Sequence, residues 1–232
     1  MSGTAGSPLA IFDHDGVLVD TLKLHQDSWV EMGREAGLGV TAEFVLETFG
    51  MTNATMLRKL RGDALTDAEI QGYSDRKEAA YRALARGNIA LMDGVREFLD
   101  ALTEAGALLA IGSSGVRPNL ALTVEECGLE GRFSAIVAGE DVTRGKPDPQ
   151  VFLLAASRAG VAPANAVVFE DAPVGIRAAK AAGMLAVGVT TSHDADALWA
   201  AGADEVVSNL RECDAAGLVA RISPAGRPGI LR

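Results

Sequence analysis

After Met92 the chain alternates helical segments with short apolar runs, and this alternation constrains the fold more than any other feature of the sequence. A helix is expected over 95–105, stopped by Gly106, and the apolar run 107–111 follows it. Pro118 suits the first turn of the next helix, after which comes the run 134–138. The pattern then continues with helix 149–159 before strand 166–169, helix 175–182 before strand 184–189, and a helix near 194–201 before strand 205–207. Each apolar run is of strand length and is bounded by turn residues, which favours a strand buried on both faces. Strands joined through helices require right-handed crossovers, so the expected product is a parallel sheet covered on both sides. One further strand, 9–12, opens the series and ends at Asp13.

Between that first strand and the rest, strand signals stop for about eighty residues. Leu22, His25, Trp29, Met32 and Ala36 recur at spacings of three and four, the face of one helix that Gly37 would end. Thr66 and Glu69 form a capping-box signature at the head of a long helical stretch reaching Gly87. The expected fold class is α/β: a Rossmann-like parallel-sheet core, residues 1–20 and 91–232, with a helical domain, residues 21–90, inserted after the first strand. The insert is expected to cap the sheet, joined to it near Asp20 and Leu91. The stretch 223–232, with Pro224, Gly226, Pro228 and Gly229, reads as a loose tail.

Composition excludes several classes. Apolar residues make up 48% and charged residues 22%, ordinary globular usage. The longest apolar run, 151–156, is far short of the roughly twenty residues a membrane span needs, so no membrane partner is expected. The chain does not open with a secretory signal pattern, which points to a cytoplasmic setting. Cys127 and Cys213 are neither metal-spaced nor numerous enough for a disulfide framework. A net charge of −10 is the wrong sign for binding nucleic acid. Residues 21–90 carry nine Lys/Arg against ten Asp/Glu, so the excess of acid lies almost entirely in the sheet-forming part. An anion bound there would need cationic help. Oligomeric state is left open by the sequence.

Ligands of open α/β sheets bind beyond the carboxyl ends of the strands. There the sequence places Asp13-His14-Asp15-Gly16 after the first strand and Ser113-Ser114 after the second. Lys146, between Gly145 and Pro147, follows the third, and Glu170-Asp171 the fourth. Asp13 and Asp15, two residues apart, can both face the crevice, and Gly16 allows the chain to turn. Four carboxylates on one rim repel one another unless a cation offsets them; a hard ion such as Mg²⁺ takes oxygen ligands and keeps room for a substrate phosphate. Lys146 supplies a point charge for that anion, held in a loop by Pro147. Ser113 and Ser114 could also cap the following helix, and Glu170-Asp171 the next. By strand alternation His14 points away from its two neighbours. His25 fits a buried histidine, His193 sits in a polar loop without a visible partner, and Trp29 and Trp199 fit core or interface positions.

The run from Phe12 to Thr21, together with Ser113, Lys146 and the segment from Glu170 to Ile176, resembles the haloacid dehalogenase superfamily. Within it the chain is similar to the β-phosphoglucomutase-like group of phosphatases and mutases. All four family motifs occur in order, and the resemblance extends over residues 9–209. It implies that Asp13 is a nucleophile forming an aspartyl-phosphate and that Asp15 is the general acid and base. It also implies that Ser113 and Lys146, with Ser114 second in rank, hold the phosphoryl group. Mg²⁺ would be bound by Asp13, the backbone carbonyl of Asp15 and Asp171, with Glu170 close by. His25 would lie near the cap hinge, and Lys77 matches a cap lysine of the group. The mutases carry Gly-x-Ser-Arg in the cap, where this chain has Gly50-Met51-Thr52-Asn53; an asparagine does not replace a guanidinium on a phosphate.

The expected activity is therefore Mg²⁺-dependent hydrolysis of a small phosphorylated metabolite, with sugar phosphates first and with specificity set near 46–57. A β-phosphoglucomutase-like mutase is the alternative. A receiver-like, non-enzymatic phosphoacceptor is the alternative of another class, which would have no need of a long lid or of Asp15.

Overall fold

The computed structural model describes residues 6–224. Strand β1 (Leu9–Phe12) is followed by four helices, α1 (Leu22–Glu35), α2 (Ala42–Glu47), α3 (Asn53–Arg61) and α4 (Asp67–Ala85). The alternating part then runs α5 (Val95–Glu104), β2 (Leu108–Gly112), α6 (Arg117–Glu126), β3 (Ala135–Val137), α7 (Gln150–Ala159) and β4 (Ala166–Glu170). It continues with α8 (Pro173–Ala181), β5 (Leu185–Val189), α9 (Ala195–Ala200), β6 (Glu205–Val207) and α10 (Ala215–Ile222). The six strands form one sheet in the order β3-β2-β1-β4-β5-β6, and every pairing is parallel. The chain builds outward from β1 on one side and then returns to build outward on the other, so the order reverses beside β1.

Both faces of the sheet are covered, which is why its strands are apolar at successive positions rather than at alternate ones. Ala10 and Phe12 face a core shared with α5 and α10, whereas Leu9 and Ile11 face a second core shared with α7 and α8. On the first side Phe12 stacks on Phe169 at 4.8 Å between ring centroids, and Phe98 meets both rings edge-on. This aromatic cluster underlies the strand ends that carry the acidic residues.

The helices between β1 and β2 have their own apolar centre, built from Trp29, Met32, Val45, Met56, Leu57 and Ile70. Their two connections to the sheet run side by side, with Val19 bridged to Leu91 and the Met92 amide donating to the Leu18 carbonyl at 2.9 Å. A small contact of Tyr81 and Ala85 with Leu122 seats α4 on α6. The Thr66–Glu69 capping box forms at the start of α4 as expected.

Four local expectations are revised. β4 extends through Glu170, and α8 starts at Pro173 rather than 175, because proline suits a first helical turn. Helix α10, which the sequence pattern did not reveal, is capped by the Asp214 side chain and buries Leu218, Val219 and Ile222, an i, i+1, i+4 pattern too short to stand out. Trp199 is half exposed on α9 and belongs to no core, whereas Trp29 is buried. Most of the expected tail, from residue 225 on, lies outside the described residues. Among the described residues no helix is long and apolar enough to cross a membrane.

Candidate active site

β1 ends on the amide of Asp13, which donates to the Phe169 carbonyl at 2.9 Å and so continues the β1–β4 pairing by one bond. The chain then turns at Gly16, whose φ of 81° belongs to the left-handed region. A Cβ here would stand 2.0 Å from Asp171 Oδ2, so the close approach of this turn to the end of β4 requires glycine as well. Gly175 plays the matching part on α8, where a Cβ would fall 1.8 Å from Glu170 Oε1. The two glycines let carboxylates from different strands crowd one point. Among the described residues, Asp13, Glu170 and Asp171 each place an oxygen within 4.8 Å of the others.

Lys146 reaches this point from the loop after β3. Its Nζ donates to Asp13 Oδ1 at 2.7 Å and to Glu170 Oε1 at 2.5 Å, and it lies over the Phe152 ring. Burial opposes its charge, but Asp13 and Glu170 outweigh that and hold the ammonium above the ordinary lysine value. Glu170 Oε2 accepts from the Ala172 amide at 2.9 Å, so one carboxylate both holds the lysine and fastens the start of α8. Burial pushes Asp13 up to about 7, with Lys146 opposing and Glu170 and Asp15 adding. Asp171 is raised well above the carboxylate range, by burial first and then by Glu170 and Asp13. Both its oxygens are buried without a well-aligned donor among the described residues, and the nearby Ser192 hydroxyl only partly offsets this.

Asp15 is held differently. Its Oδ1 accepts from Thr21 Oγ1 and lies 2.9 Å from His14 Nδ1 and 3.1 Å from His25 Nε2. Burial opposes ionisation, but the two histidines keep this carboxyl well below the usual range. His14 thus turns toward Asp15, against the expectation from alternation. Strand geometry ends at Phe12, and the turn to Gly16 breaks the two-residue period. Its Nε2 hydrogen-bonds Thr123 Oγ1 at 2.8 Å. His193 likewise has a partner, the Asp171 carbonyl at 3.1 Å from Nδ1, formed by a loop approach that no sequence spacing reveals.

The helical insert contributes a buried polar chain. Lys77 Nζ contacts His25 Nδ1 at 2.7 Å and Glu78 Oε1 at 2.9 Å, while His25 stacks on Tyr81 at 4.3 Å. A charged lysine makes Nδ1 the acceptor, which leaves the Nε2 hydrogen for Asp15. Asn53 Nδ2 donates to Glu78 Oε1 at 2.7 Å, and Asn119 Nδ2, from α6, donates to Glu78 Oε2 at 2.6 Å. Glu78 and Asn119 had no sequence signal, since a charged residue beside a lysine on a long helix reads as a solvated face. Thr21 closes the first motif, but nothing in its position suggested a contact with Asp15.

Asp13, Asp15, Ser113 and Ser114 line one small cavity together with His25, Gly50, Asn53, Lys77 and Glu78. Its volume is about 40 Å³, room for about three waters. Lys146, Glu170 and Asp171 lie at the site's floor rather than in the cavity wall. Ser113 Oγ accepts from the Gly115 amide at 2.9 Å, so it also tightens the loop before α6, as its capping reading allowed. Asn53 and Ser114 are shared with an adjoining cleft of about 410 Å³ whose walls include Thr52, Arg58, Gln71 and Thr143. Every sequence-selected site residue therefore falls in this one region.

The chain also has recognisable relatives. The family model described as haloacid dehalogenase-like hydrolase matches residues 10–189. Validoxylamine A 7'-phosphate phosphatase of Streptomyces hygroscopicus subsp. limoneus is 35% identical over 88% of this chain and 94% of its own. The phosphorylated carbohydrates phosphatase of Thermotoga maritima is 31% identical, over 87% and 97%. In three dimensions, CbbY from Rhodobacter sphaeroides, solved in complex with phosphate, superposes with a TM-score of 0.77 at 28% identity, covering 89% of this chain and 96% of that one. The reading as a non-enzymatic phosphoacceptor is thereby set aside. The chain belongs to the haloacid dehalogenase-like hydrolase family and is an enzyme of its phosphatase type.

Proposed function

We propose that the chain is a Mg²⁺-dependent phosphatase that hydrolyses a small phosphorylated metabolite, a sugar phosphate first, through an aspartyl-phosphate on Asp13. The observation that carries this is the unbalanced charge at the strand ends: three clustered carboxylates face one lysine, and Asp171 is buried without a well-aligned donor among the described residues. Such a cluster is costly until a cation joins it. The donor set is all oxygen, which suits Mg²⁺. Asp13 and Asp171, with the backbone carbonyl of Asp15, would hold it. Glu170 stands close by, its oxygens already engaged by Lys146 and the Ala172 amide. Bound there, Mg²⁺ supplies charge neutralisation of the phosphoryl oxygens.

In the first half-reaction an Asp13 oxygen attacks phosphorus, the bond from phosphorus to the ester oxygen breaks, and Asp15 protonates the departing oxygen. In the second, Asp15 takes a proton from water, the water oxygen attacks phosphorus, and the bond to Asp13 breaks. Thr21 and the two histidines beside Asp15, which hold its carboxyl well below the usual range, favour the base role in this second step. Ser113 and Lys146, with Ser114 beside them, hold the phosphoryl group. The small space between residues 21–90 and the strand ends, about 40 Å³, supports a cap that opens to load the site. The named activities of the two relatives, a validoxylamine A 7'-phosphate phosphatase and a phosphorylated carbohydrates phosphatase, support hydrolysis. Mutase chemistry is disfavoured because, among the described residues, the part of the insert that lines the cavity offers no free lysine or arginine: Asn53 donates to Glu78, and Lys77 is paired.

The test is phosphate release from a panel of sugar phosphates with Mg²⁺, with chelator and with Ca²⁺. Activity is expected only with Mg²⁺; full activity after exhaustive chelation overturns the scheme. Independently of turnover, Mg²⁺ should raise the melting temperature of the wild type, by about 2.7 kcal/mol of stability at a hundredfold excess over Kd, and should do much less for Asp171→Ala.

A further inference from the structure

The cavity wall supplied by the insert contains one anionic group, Glu78, and the proposed chemistry does not use it. Glu78 is 5% exposed, yet it borders the cavity. Its Oε1 accepts from both Asn53 and Lys77, which fills that oxygen, whereas among the described residues Oε2 accepts from Asn119 alone. A carboxylate oxygen takes about two hydrogen bonds, so Oε2 retains one accepting position. Lys77 does not compensate as an anchor for anions. Two of its three hydrogens go to His25 and Glu78, and its ammonium lies 5.5 Å from the Trp29 ring and 5.3 Å from the Tyr81 ring. Asn53 turns its amide nitrogen toward Glu78, which leaves its carbonyl oxygen as a second acceptor. The remaining side chains of this wall are His25, whose ring nitrogens are engaged by Lys77 and Asp15, and the apolar Trp29, Val45, Phe49, Met51 and Met56.

A wall with acceptors in an apolar frame favours a ligand that brings hydrogen-bond donors without charge. It disfavours one that brings a second anion, because the cation of this wall, Lys77, is already paired with Glu78 and leaves a buried carboxylate or phosphate without a counter-charge. A site built to accept from a hydroxyl also discriminates strongly against an analogue that lacks it. We propose that Glu78 is a specificity-determining residue, which accepts a hydroxyl of a neutral polyhydroxylated phosphate ester and excludes esters carrying a second anionic group. This rests on the phosphatase reading above and narrows it to a substrate class.

The experiment compares kcat/KM, with Mg²⁺ present, for glycerol 1-phosphate, 3-phosphoglycerate and phenyl phosphate. The first two are of similar size and differ in a hydroxymethyl against a carboxylate. The wild type is expected to prefer glycerol phosphate over 3-phosphoglycerate by at least about tenfold. Glu78→Gln keeps the shape but exchanges an accepting charge for an amide. It should reduce that ratio at least about fivefold, mainly through KM, and should lose at least about fivefold more on glycerol phosphate than on phenyl phosphate. A folded Glu78→Gln protein with an unchanged ratio, or one with equal losses on all three esters, overturns the proposal and leaves Glu78 a structural partner of Lys77. Should this variant not fold, the wild-type ratio decides, and a value below about threefold overturns the proposal. No phosphate from any of the three esters with the wild type would instead overturn the phosphatase reading itself.

Discussion

In the sheet-forming core Lys146 is shared between Asp13 and Glu170 while Asp171 has no aligned donor; in the helical insert Lys77 and Glu78 pair one to one and both Glu78 oxygens are hydrogen-bonded. Each region buries ionisable groups, but the core leaves its carboxylates in excess of their lysine, whereas in the insert Lys77 and Glu78 match. A buried pair that is satisfied adds little net stability and resists the loss of either member. An unbalanced cluster costs stability and gains it back when a counter-ion or substrate arrives. The two regions therefore differ in what they are built to do. The core receives charge, and the insert presents a shaped wall whose charges are already matched.

The largest effect that would break this contrast is on Asp13. Asp13→Asn should lower kcat by at least about three orders of magnitude, about 4 kcal/mol of barrier, while leaving the protein folded, since it removes a nucleophile and one of the crowded charges. Steady-state turnover with circular dichroism checks this, and retention of more than about a tenth of kcat contradicts the nucleophile. Next is Lys77→Met, which should cost about 3 kcal/mol of stability in urea unfolding, because Glu78 keeps its two amide donors but loses its counter-charge. A loss below about 1 kcal/mol would mean that the insert does not depend on its pairing.

Asp15→Asn should slow alkyl phosphates by about a hundredfold and aryl phosphates much less, because a good leaving group needs little protonation. An equal loss on both refutes the general acid. The smallest effect is expected at Asn53. A guanidinium introduced by Asn53→Arg would meet Glu78, so inhibition by a sugar bisphosphate should tighten less than about threefold, under about 1 kcal/mol. A gain of about tenfold would show that the introduced charge reaches the cavity free of Glu78.

The core was legible in the sequence because its signals are local. An apolar run followed at once by Asp13-His14-Asp15-Gly16, or by Glu170-Asp171, places chemistry at a strand end. Parallel pairing then brings the ends together whatever the loops do. The order of helices and strands followed from period alone. Contacts fixed by packing across elements were not legible. The sequence cannot tell that His14 leaves the strand period and meets Asp15, that His193 lies against Asp171, or that Glu78, Asn53 and Asn119 converge from three helices. Glu78 followed the rule for exposed charges until the seating of α4 on α6 took it out of water. The sequence by itself determined the α/β order, the helical insertion and the acidic strand ends with their lysine, because each depends on neighbours along the chain. Only the tertiary structure decided which buried charges are balanced and which are not, because that depends on distances of a few ångströms between residues as far apart as Lys146 and Asp13, or Glu78 and Asn119.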